Sequence, residues 1–144
     1  QGILLELQEE LHKTIVFITH DLDEALRIGD DIAILRDGRL VQQGSSQDIV
    51  LNPADDYVAD FIKDINRARV LTVGTLPLKK ASAKGITLSN ETSLEDAMKA
   101  LVEAKKDSVI VVKDDKKLGS VSMYDIVHAA TRSSETAGEA VTYR

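Results

Sequence analysis

The hydrophobic positions of the chain form short continuous runs that alternate with stripes at helical spacing. The most apolar run, residues 15–18, is hydrophobic on both faces and ends at the polar turn Thr19-His20-Asp21. A run of this kind followed by a helical pattern predicts a buried parallel strand whose loop opens into a ligand crevice. Asp21 and Glu24 have the spacing of a capping box, which predicts a helix over residues 22–28.

The rest of the first 65 residues predicts a hairpin between helices. The expected elements are, in order, a helix over residues 1–12, strands over residues 32–35 and 40–43 around an Asp37-Gly38 turn, and helices over residues 47–51 (capped by Ser45 or Ser46) and 55–65.

The later part of the chain predicts a β-α-β-β-α unit over residues 86–131. Residues 66–85 are interpreted as a linker and the start of the next unit, with a short element near Val70. Residues 132–144 are interpreted as a linker or the start of a truncated second repeat. The predicted elements of the unit are, in order, a strand over residues 86–88, a helix opened by Thr92 and Glu95, strands over residues 108–112 and 118–121, and a helix from Ser122 and Asp125 to Ala130.

Composition and charge narrow the possible classes of protein. The 144 residues include no cysteine and only 3% aromatic residues, which excludes a disulfide framework and disfavours stacking on nucleic-acid bases. The segment 1–65 has a net charge of −9 and the segment 66–144 a net charge of +3. This change of sign near Asn66 predicts two units with different partners. No run approaches the roughly 18 apolar residues of a membrane span, so we expect a soluble, cytoplasmic chain.

No complete catalytic constellation is present in the sequence. His12, His20 and His128 are far apart and have no metal-ligand spacing, so no metal site is expected. The sequence also has no GxxxxGK[ST] loop to surround the phosphates of a nucleotide. We therefore expect that this chain by itself does not hydrolyse ATP.

The first 65 residues nevertheless resemble the C-terminal part of an ATP-binding cassette (ABC) transporter ATPase. The similarity lies in the run TIVFITHDLDEALRIGDDIAILRDGRLVQQGSSQDIVLNPADDYVADFI, where THD, EA, DG and G occur in the order of that family. The resemblance implies a P-loop-type α/β fold, with His20 as the switch histidine that contacts the γ-phosphate of ATP. In a full-length parent it also implies Mg²⁺, a second ATPase subunit and permease subunits at the inner face of the membrane.

The later unit is similar to a cystathionine-β-synthase-type (CBS) domain. The similarity lies in ITLSNETSLEDAMKALVEAKKDSVIVVKDDKKLGSVSMYDIV, where the closing motif of the family maps onto Gly119, Val121, Ser122 and Asp125, with Ser122 in place of the usual threonine. In that family the hydroxyl approaches a phosphate and the carboxylate a ribose, which implies an adenine nucleotide. The two resemblances together suggest the ATPase subunit of a glycine betaine/L-proline (quaternary-amine) importer, in which two such repeats are usual and only one is complete here.

Simpler interpretations remain open for several of these residues. Helix capping fully explains Asp21 and Glu24, and it competes with ligand binding for Ser122 and Asp125. The basic segment 79–84 is either a solvated linker or, in the parent, a contact with an anionic membrane surface. The whole chain could alternatively be a stand-alone adenine-nucleotide sensor or interaction module. Two small units bury little surface, so we also expect a homodimer or a larger assembly.

Overall fold

The computed structural model of the chain describes Glu6, residues 13–80 and residues 84–132. The chain divides into two compact units, with the boundary between Lys63 and Asp64. In the first unit the elements are α1 (Leu22–Ile28), β1 (Ile32–Arg36), β2 (Arg39–Gly44), α2 (Ser46–Leu51) and α3 (Asp56–Ile62). In the second unit they are α4 (Arg67–Val70), a 3₁₀ turn (Val73–Thr75), β3 (Ile86–Ser89), α5 (Leu94–Ala104), β4 (Ser108–Lys113), β5 (Lys116–Ser122) and α6 (Met123–Thr131).

The hairpin and short helices predicted for the first unit are confirmed. β1 and β2 pair antiparallel around Asp37 and Gly38, which both have positive φ, as a two-residue hairpin turn requires. Ser45 is the cap of α2, and it forms a reciprocal capping box with Asp48. The predicted helix over residues 1–12 lies outside the described residues, apart from Glu6.

The strand predicted over residues 15–19 is wrong. These residues have no regular secondary structure, and the side chains of Val16 and Ile18 are 85% and 91% exposed. A strand needs a neighbour to accept its backbone hydrogen bonds, and among the described residues the sheet of this unit consists of β1 and β2 alone. An apolar sequence thus favours a strand but cannot form one without a partner.

The second unit has the predicted β-α-β-β-α order around a three-stranded sheet. β4 lies in the middle, parallel to β3 and antiparallel to β5. Because β4 is a central strand, Val109, Ile110 and Val111 are buried on both faces. α5 begins one residue later than predicted: Ser93, and not Thr92, accepts the backbone N–H of Asp96 as its cap.

Part of the segment interpreted as a linker contributes to the core of the second unit. Leu71 and Val73 are fully buried, and the backbone of this stretch bonds to the loop before α5, with Val73 N–H donating to Thr92 O (2.9 Å) and Leu94 N–H donating to Leu71 O (3.0 Å). Further on, Lys79 forms an antiparallel bridge with Ser120 of β5. Residues 71–80 therefore pack against the rest of the second unit and bond to its sheet and to the start of α5.

Candidate functional site

His20 lies in the loop that leads into α1, and its side chain is exposed. The residues on either side of it are committed to the helix start: the Thr19 hydroxyl accepts the Asp21 N–H (3.0 Å) and donates to Glu24 Oε2 (3.1 Å). Asp21 Oδ1 accepts the Glu24 N–H (3.1 Å). The capping role of Asp21 is therefore confirmed. The Glu24 carboxylate accepts a hydrogen bond from the Thr19 hydroxyl instead of completing the predicted capping box with Asp21. These local hydrogen bonds stabilise the loop, and the imidazole of His20 is exposed to solvent.

Ser122 and Asp125 meet at the N-terminus of α6, the last described helix of the second unit. The Ser122 hydroxyl accepts the Asp125 N–H (3.1 Å) and donates to Asp125 Oδ2 (2.8 Å), and the Ser122 N–H donates to the same oxygen (3.3 Å). The predicted capping box is therefore confirmed. The two side chains are only partly buried, so the helix start, where backbone N–H groups attract anions, remains accessible to solvent.

A third residue, Lys79, adds a positive charge to this cluster. Its Nζ lies 3.6 Å from Asp125 Oδ2, with side-chain exposures of 75% for Lys79 and 30% for Asp125. The hydrogen bond from Ser122, with the positive charge of Lys79 as a smaller contribution, lowers the pKa of Asp125 below its usual value. The cluster therefore has a carboxylate, a hydroxyl, an ammonium group and a helix N-terminus within reach of one another.

Gly119 lies nearby on β5, but the structure explains it by backbone packing. A Cβ atom at this position would lie 2.6 Å from Lys79 O and 2.8 Å from Leu78 Cβ. Only glycine lets the 78–80 segment approach β5 closely enough for Lys79 N–H to donate to Ser120 O and Ser120 N–H to donate to Lys79 O, both at 2.9 Å. Gly119 therefore positions Lys79 beside Asp125.

The structure thus brings together Ser122 and Asp125. Gly119 packs against the backbone of the 78–80 segment, and His20 belongs to the other unit. Sequence reasoning missed Lys79, which is 46 residues away from Asp125 along the chain. The only signal available for it was its place in the basic segment 79–84, and that segment has the composition of a linker.

These residues fit the chemistry of a nucleotide better than that of a metal ion. An ammonium group, a hydroxyl and a helix N-terminus suit a phosphate, and a carboxylate can accept hydrogen bonds from ribose hydroxyls. Among the described residues, no group of three histidine or acidic side chains could hold a metal ion.

A groove in the first unit does not coincide with this cluster. It is open, has a volume of about 570 Å³ and is lined by Arg36, Asp37, Arg39, Leu40, Val41 and Asp55. It contains none of the predicted site residues.

No helix in the described part of the chain is long and apolar enough to cross a bilayer.

Comparison with known protein families gives a match for the later part of the chain. The sequence profile of the CBS domain matches residues 48–132, more than half of the chain. This match begins before the boundary at Lys63, so it includes most of α2 and all of α3 of the first unit.

Relatives of known function match nearly the whole chain. The glycine betaine/carnitine transport ATP-binding protein of Listeria monocytogenes is 45% identical over 90% of this chain and 30% of its own length. The glycine betaine transport ATP-binding protein of Bacillus subtilis is 37% identical over 89% of this chain and 33% of its own length. For the glycine betaine/proline betaine transport system ATP-binding protein of Escherichia coli the identity is 34%, over 92% of this chain and 33% of the relative.

The chain spans about a third of the length of these curated relatives, and the matched part is their C-terminal region. The resemblances to an ABC ATPase and to a CBS domain are therefore confirmed. The chain belongs to the CBS domain family and is homologous to the C-terminal part of the ATP-binding proteins of glycine betaine-type ABC transporters.

Proposed function

We propose that this chain acts as the C-terminal, regulatory part of the ATP-hydrolysing subunit of an importer for glycine betaine, proline or related quaternary amines. Two copies of that subunit would bind ATP and Mg²⁺ between them at the inner face of the membrane. Hydrolysis of the ATP would drive transport through the permease subunits. The exposed imidazole of His20 would contact the γ-phosphate, and the CBS unit would adjust the activity. The similarity to transport ATP-binding proteins supports this assignment.

Within the CBS unit, we propose that Ser122 and Asp125 bind an adenine nucleotide. The observation that carries this proposal is the convergence of the Ser122 hydroxyl and the Asp125 carboxylate, 2.8 Å apart, at the accessible N-terminus of α6. Ser122 and the helix N-terminus would face a phosphate, and Asp125 would accept the ribose hydroxyls. Capping and phosphate binding are compatible, because the Ser122 oxygen would still accept the Asp125 N–H when its single O–H proton turned from Asp125 Oδ2 to a phosphate oxygen.

Calorimetric titration of AMP, ADP and ATP into the chain tests the nucleotide site. We expect saturable binding that the Asp125→Ala variant weakens by about tenfold or more, since it removes an acceptor for the ribose. Asp107→Ala is the matched control, because Asp107 is an exposed acid that precedes β4, and the bond it accepts from Met123 N–H of α6 goes to its backbone carbonyl, which the substitution keeps.

Thermal unfolding of each variant shows whether Asp125→Ala is still folded, because loss of the cap alone costs about 1 kcal/mol. If the wild-type chain binds none of the three nucleotides, the proposed site is refuted. Equal weakening by Asp125→Ala and Asp107→Ala would also refute it.

The role of His20 is tested in a full-length transporter subunit that carries this sequence as its C-terminal part. There we expect His20→Ala to reduce ATP hydrolysis by about 10²-fold or more, the usual scale for a positioned catalytic group. Asp23→Ala is the control, since Asp23 lies on the exposed side of α1. Retention of full activity in His20→Ala would refute this role.

A further inference from the structure

The backbone at Lys79 is bonded to β5, and this places the Lys79 side chain near the start of α6. Two hydrogen bonds of 2.9 Å join Lys79 to Ser120 of β5, and the Ser120 hydroxyl donates to Lys80 O at 3.0 Å. The ammonium group then reaches Asp125 Oδ2 at 3.6 Å. The backbone position of Lys79 is therefore fixed, while its long side chain is 75% exposed and free to change partner.

We infer that Lys79 is a specificity-determining residue that selects phosphorylated nucleotides over nucleosides at this site. The inference rests on the nucleotide binding proposed above for Ser122 and Asp125. When ligand is absent, Lys79 neutralises the Asp125 carboxylate. When a nucleotide binds, its ribose hydroxyls hydrogen-bond to Asp125 and the ammonium group moves to the phosphate beside Ser122.

The exchange of partners is favourable because of the charges involved. The ion pair between Lys79 and Asp125 is solvent-exposed, and such pairs are weak. A phosphate carries more negative charge than a carboxylate and also meets the positive end of the α6 dipole, so it is the better partner for the ammonium group. A nucleoside offers no phosphate, and it would gain nothing from Lys79.

Calorimetric binding of AMP and of adenosine to the chain, in buffer of constant ionic strength, tests this role. We expect the Lys79→Gln variant to bind AMP about tenfold more weakly than the wild type, the loss expected for one charge-assisted hydrogen bond. Its affinity for adenosine should stay within about twofold of the wild-type value, because the nucleoside lacks the group that Lys79 binds. Lys79→Arg keeps the charge and should retain most of the AMP affinity.

Lys80→Gln is the matched control, because Lys80 is the adjacent exposed lysine and its loss removes the same net charge. We expect it to change neither affinity. Equal weakening of AMP and adenosine by Lys79→Gln, an unchanged AMP affinity, or tighter AMP binding would each overturn the inference while leaving the nucleotide site intact. Absence of binding of both ligands to the wild-type chain would instead refute the proposed site, and the role of Lys79 with it.

Discussion

At the scale of single residues, Asp125 links the fold of the second unit to its pH dependence. Because the Ser122 hydroxyl and, to a smaller extent, Lys79 stabilise the ionised form, the pKa of Asp125 is lower in the folded chain than in the unfolded chain. A carboxylate with a lowered pKa stabilises the fold above the pKa of the unfolded chain. This contribution is lost as the pH falls below about 4 and through the folded pKa.

We therefore expect the Asp125→Asn variant to lose less stability than the wild type between pH 7 and pH 2. The difference should be about 0.5–1 kcal/mol, since the interacting groups are partly exposed to solvent. Urea unfolding at both pH values measures it, with Asp107→Asn as the control. Identical losses in the wild type and in Asp125→Asn would contradict the contribution assigned to this carboxylate.

Gly119 is the second residue whose role depends on its immediate neighbours. The Gly119→Ala substitution would place a methyl group 2.6 Å from Lys79 O, so the 78–80 segment must move away from β5. We expect a loss of about 1–3 kcal/mol in the free energy of unfolding, typical of overpacking. Gly44→Ala is the control, because its Cβ would approach no atom closer than 3.4 Å. Equal effects of the two substitutions would contradict the close approach.

At the scale of elements, the position of the cap decides where α5 begins. Ser93 accepts the Asp96 N–H at 3.1 Å, whereas Thr92 contributes backbone hydrogen bonds to Val73 and Ser89 that any residue could make. We expect Ser93→Ala to lower the free energy of unfolding by about 1 kcal/mol. Thr92→Ala should change it by less than about 0.5 kcal/mol. Chemical denaturation of both variants distinguishes the two caps, and a larger effect of Thr92→Ala would favour the position predicted from the sequence.

At the scale of the whole molecule, the exposed apolar residues 15–18 bear on association. Val16 and Ile18 are almost fully exposed, and apolar side chains in a continuous run favour contact with another surface. We expect the chain to form dimers or larger species, and Val16→Lys to reduce the associated fraction several-fold by light scattering. Thr14→Lys adds the same charge in the same segment without removing apolar surface. A chain that is monomeric at all concentrations would contradict this expectation.

The elements that sequence reasoning predicted correctly depend on neighbours along the chain. The Asp37-Gly38 turn needs only two residues that tolerate positive φ. The box between Ser122 and Asp125 needs only the spacing of one helical turn. The motif order that suggested the two families is also a property of the sequence, and the relatives and the CBS profile confirm both families.

The features that sequence reasoning missed depend on contacts between distant segments. The run 15–18 has the composition of a strand, but a strand forms only where another backbone pairs with it. Leu71 and Val73 lie in a segment with the composition of a linker, yet they are fully buried. Their burial comes from elements that follow them in the chain, which local composition does not report.

Residue type and short-range spacing are enough to predict most elements of this protein, the Asp37-Gly38 turn and the caps at Ser45 and Ser122. They also reveal its relationship to CBS domains and transport ATP-binding proteins. The ion pair between Lys79 and Asp125, and the close approach of the Lys79 backbone to Gly119, depend instead on the tertiary structure. The physical reason is that backbone pairing between residues 79 and 120 brings together side chains that no periodicity relates.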